Sequence, residues 1–159
     1  MSFKRCKRNL NSKELQFEFV DKLNNLCNNL DDKYDINHGG CCYVAGCIAR
    51  LLEESGISFS LVVFDSEWDL RKIKSLQDLP EPMNHYAIVL DNNDNLIGDG
   101  INCCDDDFDD SYQVFKATST DIFDYYYNHR WNERYNCFYN FRIKCALEKF
   151  YYDFINSLF

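Results

Sequence analysis

Two strand-like runs with no helical pattern between them constrain this chain most. ISFSLVVF (residues 57–64) and HYAIVL (residues 85–90) are dense in β-branched and aromatic side chains, which suit a pleated, buried surface. Residues 65–84 join them, are polar and hold both prolines. A parallel pair needs a crossover, usually a helix, so the two runs are expected to pair antiparallel. DNNDN (91–95) then reads as a turn, and LIGDG (96–100) as the returning partner of HYAIVL. A further short strand is expected in YQVFKA (112–117).

Helical patterns flank these strands. Leu15, Phe19, Leu23, Leu26 and Leu30 recur at helical spacing, so a helix capped by Ser12 is expected from Lys13 to about Leu30. A second should run from Cys41 to Ser55, with Gly56 as its stop. A third, capped by Ser119 or Thr120, should cover DIFDYYYNHRW (121–131). The segment from Tyr135 to Phe141 is ambiguous, with apolar residues alternating as in a strand. Beyond them Ile143, Leu147, Phe150, Tyr151, Phe154 and Leu158 mark an amphipathic helix. The order predicts an α+β fold, with N-terminal helices packed on a small antiparallel sheet and C-terminal helices after it. No repeat or linker interrupts residues 1–159, which read as a single domain. With 159 residues, 46% of them apolar, the chain can bury a real core.

Composition also narrows the partners. A net charge of -9 argues against nucleic acid, whose phosphates call for clustered Lys and Arg. It suits a peptide or protein partner. No run approaches the roughly 18 to 20 apolar residues that span a bilayer, so no membrane is expected. MSFKRCKRNLNSKEL has no apolar stretch after its basic residues, unlike a secretory signal.

The nine cysteines are an odd number without an export signal, which points to a reducing, cytoplasmic setting rather than a disulfide scaffold. Cys41–Cys42 and Cys103–Cys104 are adjacent pairs, unlike the spaced ligands of a zinc knuckle. DNNDNL lacks the calcium-loop pattern: Leu96 stands at the glycine position and Asn102 at the glutamate position. No metal and no cofactor are expected.

One segment carries candidate chemistry. NHGGCCYVAGCI (37–48) runs two glycines into two cysteines at the expected start of the second helix. Unpaired N–H groups there favour a thiolate and can stabilise an oxyanion. Gly39 and Gly40 let a substrate backbone come close. Helical phase places Cys41 with Val44, Ala45 and Ile48, toward the sheet. Cys42 falls in a row of small residues with Ala45, Gly46 and Ala49, nearer the helix flank. Cys41 is therefore the preferred nucleophile and Cys42 the alternative. A buried cysteine that serves only as a small hydrophobe fits the same pattern.

A cysteine nucleophile needs a base. His85 opens a strand, a rigid place for an imidazole, and shares a face with Ala87 and Val89. Asp99, on the returning strand, could orient it, although Asp99 between two glycines also reads as a turn residue. His38 is too near Cys41 in the loop, and His129 sits at a helix end.

GGCCYVAGCIARLLEESGISFSLVVF, then NHYAIVL, then LIGDG, resembles the core of the papain-like and transglutaminase-like cysteine hydrolases. Gly39, Cys41, Ala45, Leu51, Leu52, Gly56 and Ile57 follow the family's order, His85 matches its strand-borne histidine and Asp99 its acid. The resemblance covers roughly residues 37–101. It implies a Cys41–His85–Asp99 triad in a thiol-dependent hydrolase or acyltransferase, either a cysteine peptidase or a deamidase-like enzyme. Tyr86 departs from the small or Trp residues often found there. A papain-style register would instead make Cys42 the nucleophile and Tyr43 the aromatic that follows it. Asn37 is the nearest upstream amide able to donate to an oxyanion. The competing expectation is a catalytically silent version of the fold, serving as a binding or structural protein. Its Asn, Asp and Tyr usage matches phage or AT-rich bacterial genes.

Overall fold

The computed structural model describes residues 12–36, 40–65, 67–79, 85–91, 96–97, 112–129 and 138–158, with the backbone alone at Leu96, Ile97, Phe138 and Tyr139. Helix α1 spans Lys13–Tyr34. Ser12 caps it as expected, its side chain accepting from the Leu15 N–H at 3.1 Å. The helix runs one turn past Leu30 and ends at Asp35, in the left-handed region at φ 56, which Asp tolerates better than most residues.

Helix α2 spans Cys41–Glu54. Its end follows from Gly56 at φ 67. The Gly56 N–H returns to the Glu53 carbonyl at 3.0 Å and the Ile57 N–H to the Leu52 carbonyl at 2.9 Å. This pairing satisfies carbonyls that the helix leaves open.

Strand β1 (Phe59–Phe64) pairs antiparallel with β2 (His85–Leu90), from Phe59 opposite Leu90 to Phe64 opposite His85. Strand β3 (Leu96–Ile97) pairs antiparallel with β2 through Ile88 and Val89. Strand β4 (Tyr112–Phe115) adds on the other side of β1, giving the order β3-β2-β1-β4. Between β1 and β2 the chain makes two 3-10 turns, Leu70–Lys72 and Leu76–Asp78. The first lies against β4. The Gln113 side chain donates to the carbonyls of Leu70, Arg71 and Ile73 at 3.3, 3.3 and 3.0 Å, and accepts from the Val114 N–H at 3.1 Å.

Helix α3 spans Ser119–Asn128 and α4 spans Phe138–Ser157. The cap of α3 is Thr118, ahead of both expected candidates, Ser119 and Thr120. Thr118 Oγ1 accepts from the Asp121 N–H at 3.1 Å, and Asp121 Oδ2 accepts from the Thr118 N–H at 2.9 Å. Ser119 is used otherwise. Its N–H and hydroxyl both donate to the Glu53 carboxylate at 2.6 Å, tying the start of α3 to the end of α2.

The fold is α+β. One core joins the inner face of the sheet (Leu61, Val63, Tyr86, Ile88, Leu90, Phe115) to the helices. Phe19 of α1 meets Phe150, Tyr151 and Phe154 of α4 at 6.1, 6.1 and 5.3 Å between ring centroids. Val62, Phe64 and Ala87 form a smaller cluster on the opposite face, with Val89 against it. Every residue of α2 from Cys41 to Ala49 is buried, so α2 is the central helix. The small-residue row that includes Cys42 is not a flank. At Gly46 an added Cβ would stand 2.9 Å from the Phe123 ring, so α3 closes over that side. Among the described residues no helix is long and apolar enough to cross a membrane.

Candidate active site around Cys41

Gly40 caps α2 with φ -98 and ψ -11, and Cys41 is the first helical residue. Its sulfur sits among three backbone donors: the N–H groups of Tyr86, Cys42 and Cys41 itself. These favour a thiolate. Burial acts the other way and wins, and the charge of Asp31 adds to it, so the Cys41 thiol is pushed up to about 11. At pH 7 roughly one molecule in ten thousand carries a thiolate there. Cys42 is buried as well, and burial pushes its thiol well up, with the neighbouring Cys41 adding to the shift. Cys47 sits deeper in α2, where burial pushes it up to about 12 against a hydrogen bond with Tyr43.

The Tyr86 N–H belongs to the peptide unit that follows His85. The Cys41 sulfur therefore lies against the same peptide from which the imidazole projects. The imidazole itself is 1% exposed, and its ring centroid is 6.1 Å from that of Phe64, its register partner. Phe64 belongs to the outer cluster, whereas Cys41 and Tyr86 belong to the inner core. Sulfur and imidazole thus flank one peptide unit from different sides of the sheet. Asn37, Gly39 and Asp99 lie outside the described residues, as do Cys103 and Cys104.

The sequence assigned no site role to Tyr86, Tyr125 or Asp65, which are linked through Tyr125. The Tyr86 and Tyr125 hydroxyls meet at 2.8 Å in the core. Burial pushes the Tyr125 hydroxyl up. The hydrogen bond from Tyr86 opposes this, while Cys42, Cys41 and Asp65 add to it. Asp65 directly follows β1, 3% exposed, with Oδ1 accepting from the N–H groups of Glu67 and Trp68 at 2.8 and 3.0 Å. A carboxylate that directly follows an apolar strand was the signal available for Asp65. The tyrosine pair had none, because it joins residues far apart in sequence.

Cys27, Cys41, Cys42 and Cys47 are buried and Cys145 is exposed. Among the described residues no cluster of His, Cys, Asp and Glu could hold a metal ion. The arrangement offers a thiol at a helix start, donors able to hold negative charge and a histidine on the adjoining residue. That inventory suits nucleophilic attack on a carbonyl. Compared with known proteins, the chain matches no protein-family model, no curated protein and no solved structure.

Proposed function

We propose that this chain is a thiol-dependent hydrolase or acyltransferase of the papain-like and transglutaminase-like kind. It acts on an amide, isopeptide or thioester carbonyl of a peptide or protein in a reducing cytoplasm. Cys41 sulfur attacks the carbonyl carbon, and its proton passes to His85. His85 returns that proton to the departing amine or thiol, leaving an acyl group on Cys41. Water or an acceptor amine then attacks the thioester, losing a proton to His85, and the Cys41 thiol is restored. Asp99 orients the imidazole. The Cys41 N–H and the Asn37 amide receive the oxyanion, and Gly39 and Gly40 leave room for the substrate backbone. To act, the His85 imidazole has to come within hydrogen-bond reach of the Cys41 sulfur.

The observation that carries this reading is the Cys41 sulfur held at the first turn of α2 against the peptide N–H next to His85. The thiol's burial and raised pKa favour the second reading, in which the same fold is catalytically silent and serves as a binding or structural protein.

Iodoacetamide labelling resolved by cysteine separates the two. As an enzyme, the protein should alkylate Cys41 faster than the likewise buried Cys42 and Cys27, and His85→Ala should remove the difference. As a silent protein, it should label Cys41 at the rate of Cys27 whatever stands at position 85. If Cys42 is the fast site, the nucleophile is Cys42 and the papain-style register holds.

A further inference from the structure

A second feature lies away from Cys41, in a cavity of about 290 Å³ where α2, α3 and α4 meet. We propose that it binds a small molecule carrying one aromatic ring and one carboxylate. The ring-binding surface is built from aromatic faces. Phe123 and Tyr127 stack at 6.3 Å with an interplanar angle of 24°, and Tyr43 meets Phe123 edge-on at 5.6 Å. Gly46 makes this possible, because any Cβ there would drive the Phe123 ring off the backbone of α2. Apolar and aromatic walls with a few polar groups are the usual make-up of small-ligand sites.

The carboxylate is selected by Arg50. Its guanidinium lies 4.6 Å over the Phe123 ring. Stacking uses the flat face and leaves the N–H edge to receive a carboxylate in the two-pronged geometry that Arg favours. Among the described residues Arg50 makes no ion pair. Lys144 adds a second cation from α4, only loosely held by Glu148 at 3.8 Å. Asp124 and Glu148 also line the cavity, so its charge balances near zero. That balance favours a single carboxylate over a polyanion such as a phosphate ester.

Calorimetric titration with phenylacetate, and with phenethylamine as the same ring carrying the opposite charge, tests the proposal. Phenylacetate should bind and phenethylamine should not. Arg50→Ala should weaken phenylacetate binding by about tenfold or more. Arg50 is exposed, so this variant should fold. Arg71→Ala, an exposed arginine beside β4, should bind phenylacetate as the parent protein does. No heat from phenylacetate, equal binding of the two probes, or an unchanged affinity in Arg50→Ala would each overturn the proposal.

Discussion

The hydroxyls of Tyr86 and Tyr125 meet at 2.8 Å, both side chains buried, and join β2 to α3 within the core. The bond is made inside the core, where a lost partner is felt. Tyr86→Phe and Tyr125→Phe should each lower stability by about 1 kcal/mol. The double variant should lose less than the sum, because both changes remove one shared bond. Urea unfolding of the four proteins measures the coupling, and strict additivity would show that the two hydroxyls act independently.

Buried thiols set the behaviour in alkali. Burial raises Cys41 from 9.0 to about 11 and Cys47 to about 12. A thiol raised in this way adds stability that is intact below its unfolded value. That stability is lost as the pH climbs from about 9 toward the folded value, since the unfolded chain gives up its proton first. For Cys41 the full loss is about 3 kcal/mol. The urea midpoint should therefore hold steady from pH 7 to 8 and fall between pH 9 and 11. Cys41→Ala should flatten part of that slope. A midpoint that rises over this range would contradict the burial of these sulfurs.

Glu53 fastens two helices with one carboxylate. It takes the N–H and the hydroxyl of Ser119 at 2.6 Å each. Hydrogen bonds to a charged group are worth more than neutral ones. Glu53→Ala should cost about 2 kcal/mol. Hydrogen exchange should show the first turn of α3 opening ahead of the rest of that helix, and uniform exchange along α3 would disprove the tie.

Gly46 should resist replacement. Alanine improves helix propensity by about 1 kcal/mol. Yet its Cβ would press on a Phe123 ring already bounded by Tyr43, Tyr127 and Arg50. Overpacking of this kind costs about 1–3 kcal/mol. Gly46→Ala should thus be destabilising by about 1 kcal/mol net. Adding Phe123→Leu should recover the loss, and Gly46→Ala alone raising the melting temperature would refute the contact.

Much of the fold was legible because it rests on local signals. The stop at Gly56 and the strand His85–Leu90 follow from turn chemistry and β-branched runs. The cap of α3 is Thr118 rather than Ser119 or Thr120, and Ser119 is instead bound by Glu53, a residue far away in sequence. Helical phase could not rank Cys41 over Cys42 by exposure, since a central helix is covered on all sides. Strand alternation correctly grouped His85 with Ala87. It could not tell which face α2 would choose, and α2 lies on the face of Tyr86. The side of the sheet is decided by packing between elements, which no local pattern encodes.

Tyr112 and Val114 stand exposed on β4, the outermost strand on its side. Such a border invites another molecule to continue the ribbon, which is how fibrils start. Gln113, with one amide, engages the Val114 N–H and clips three carbonyls of the preceding turn over that border. Among the described residues, Gln113 is thus a guard against templated growth from molecule to molecule at this border.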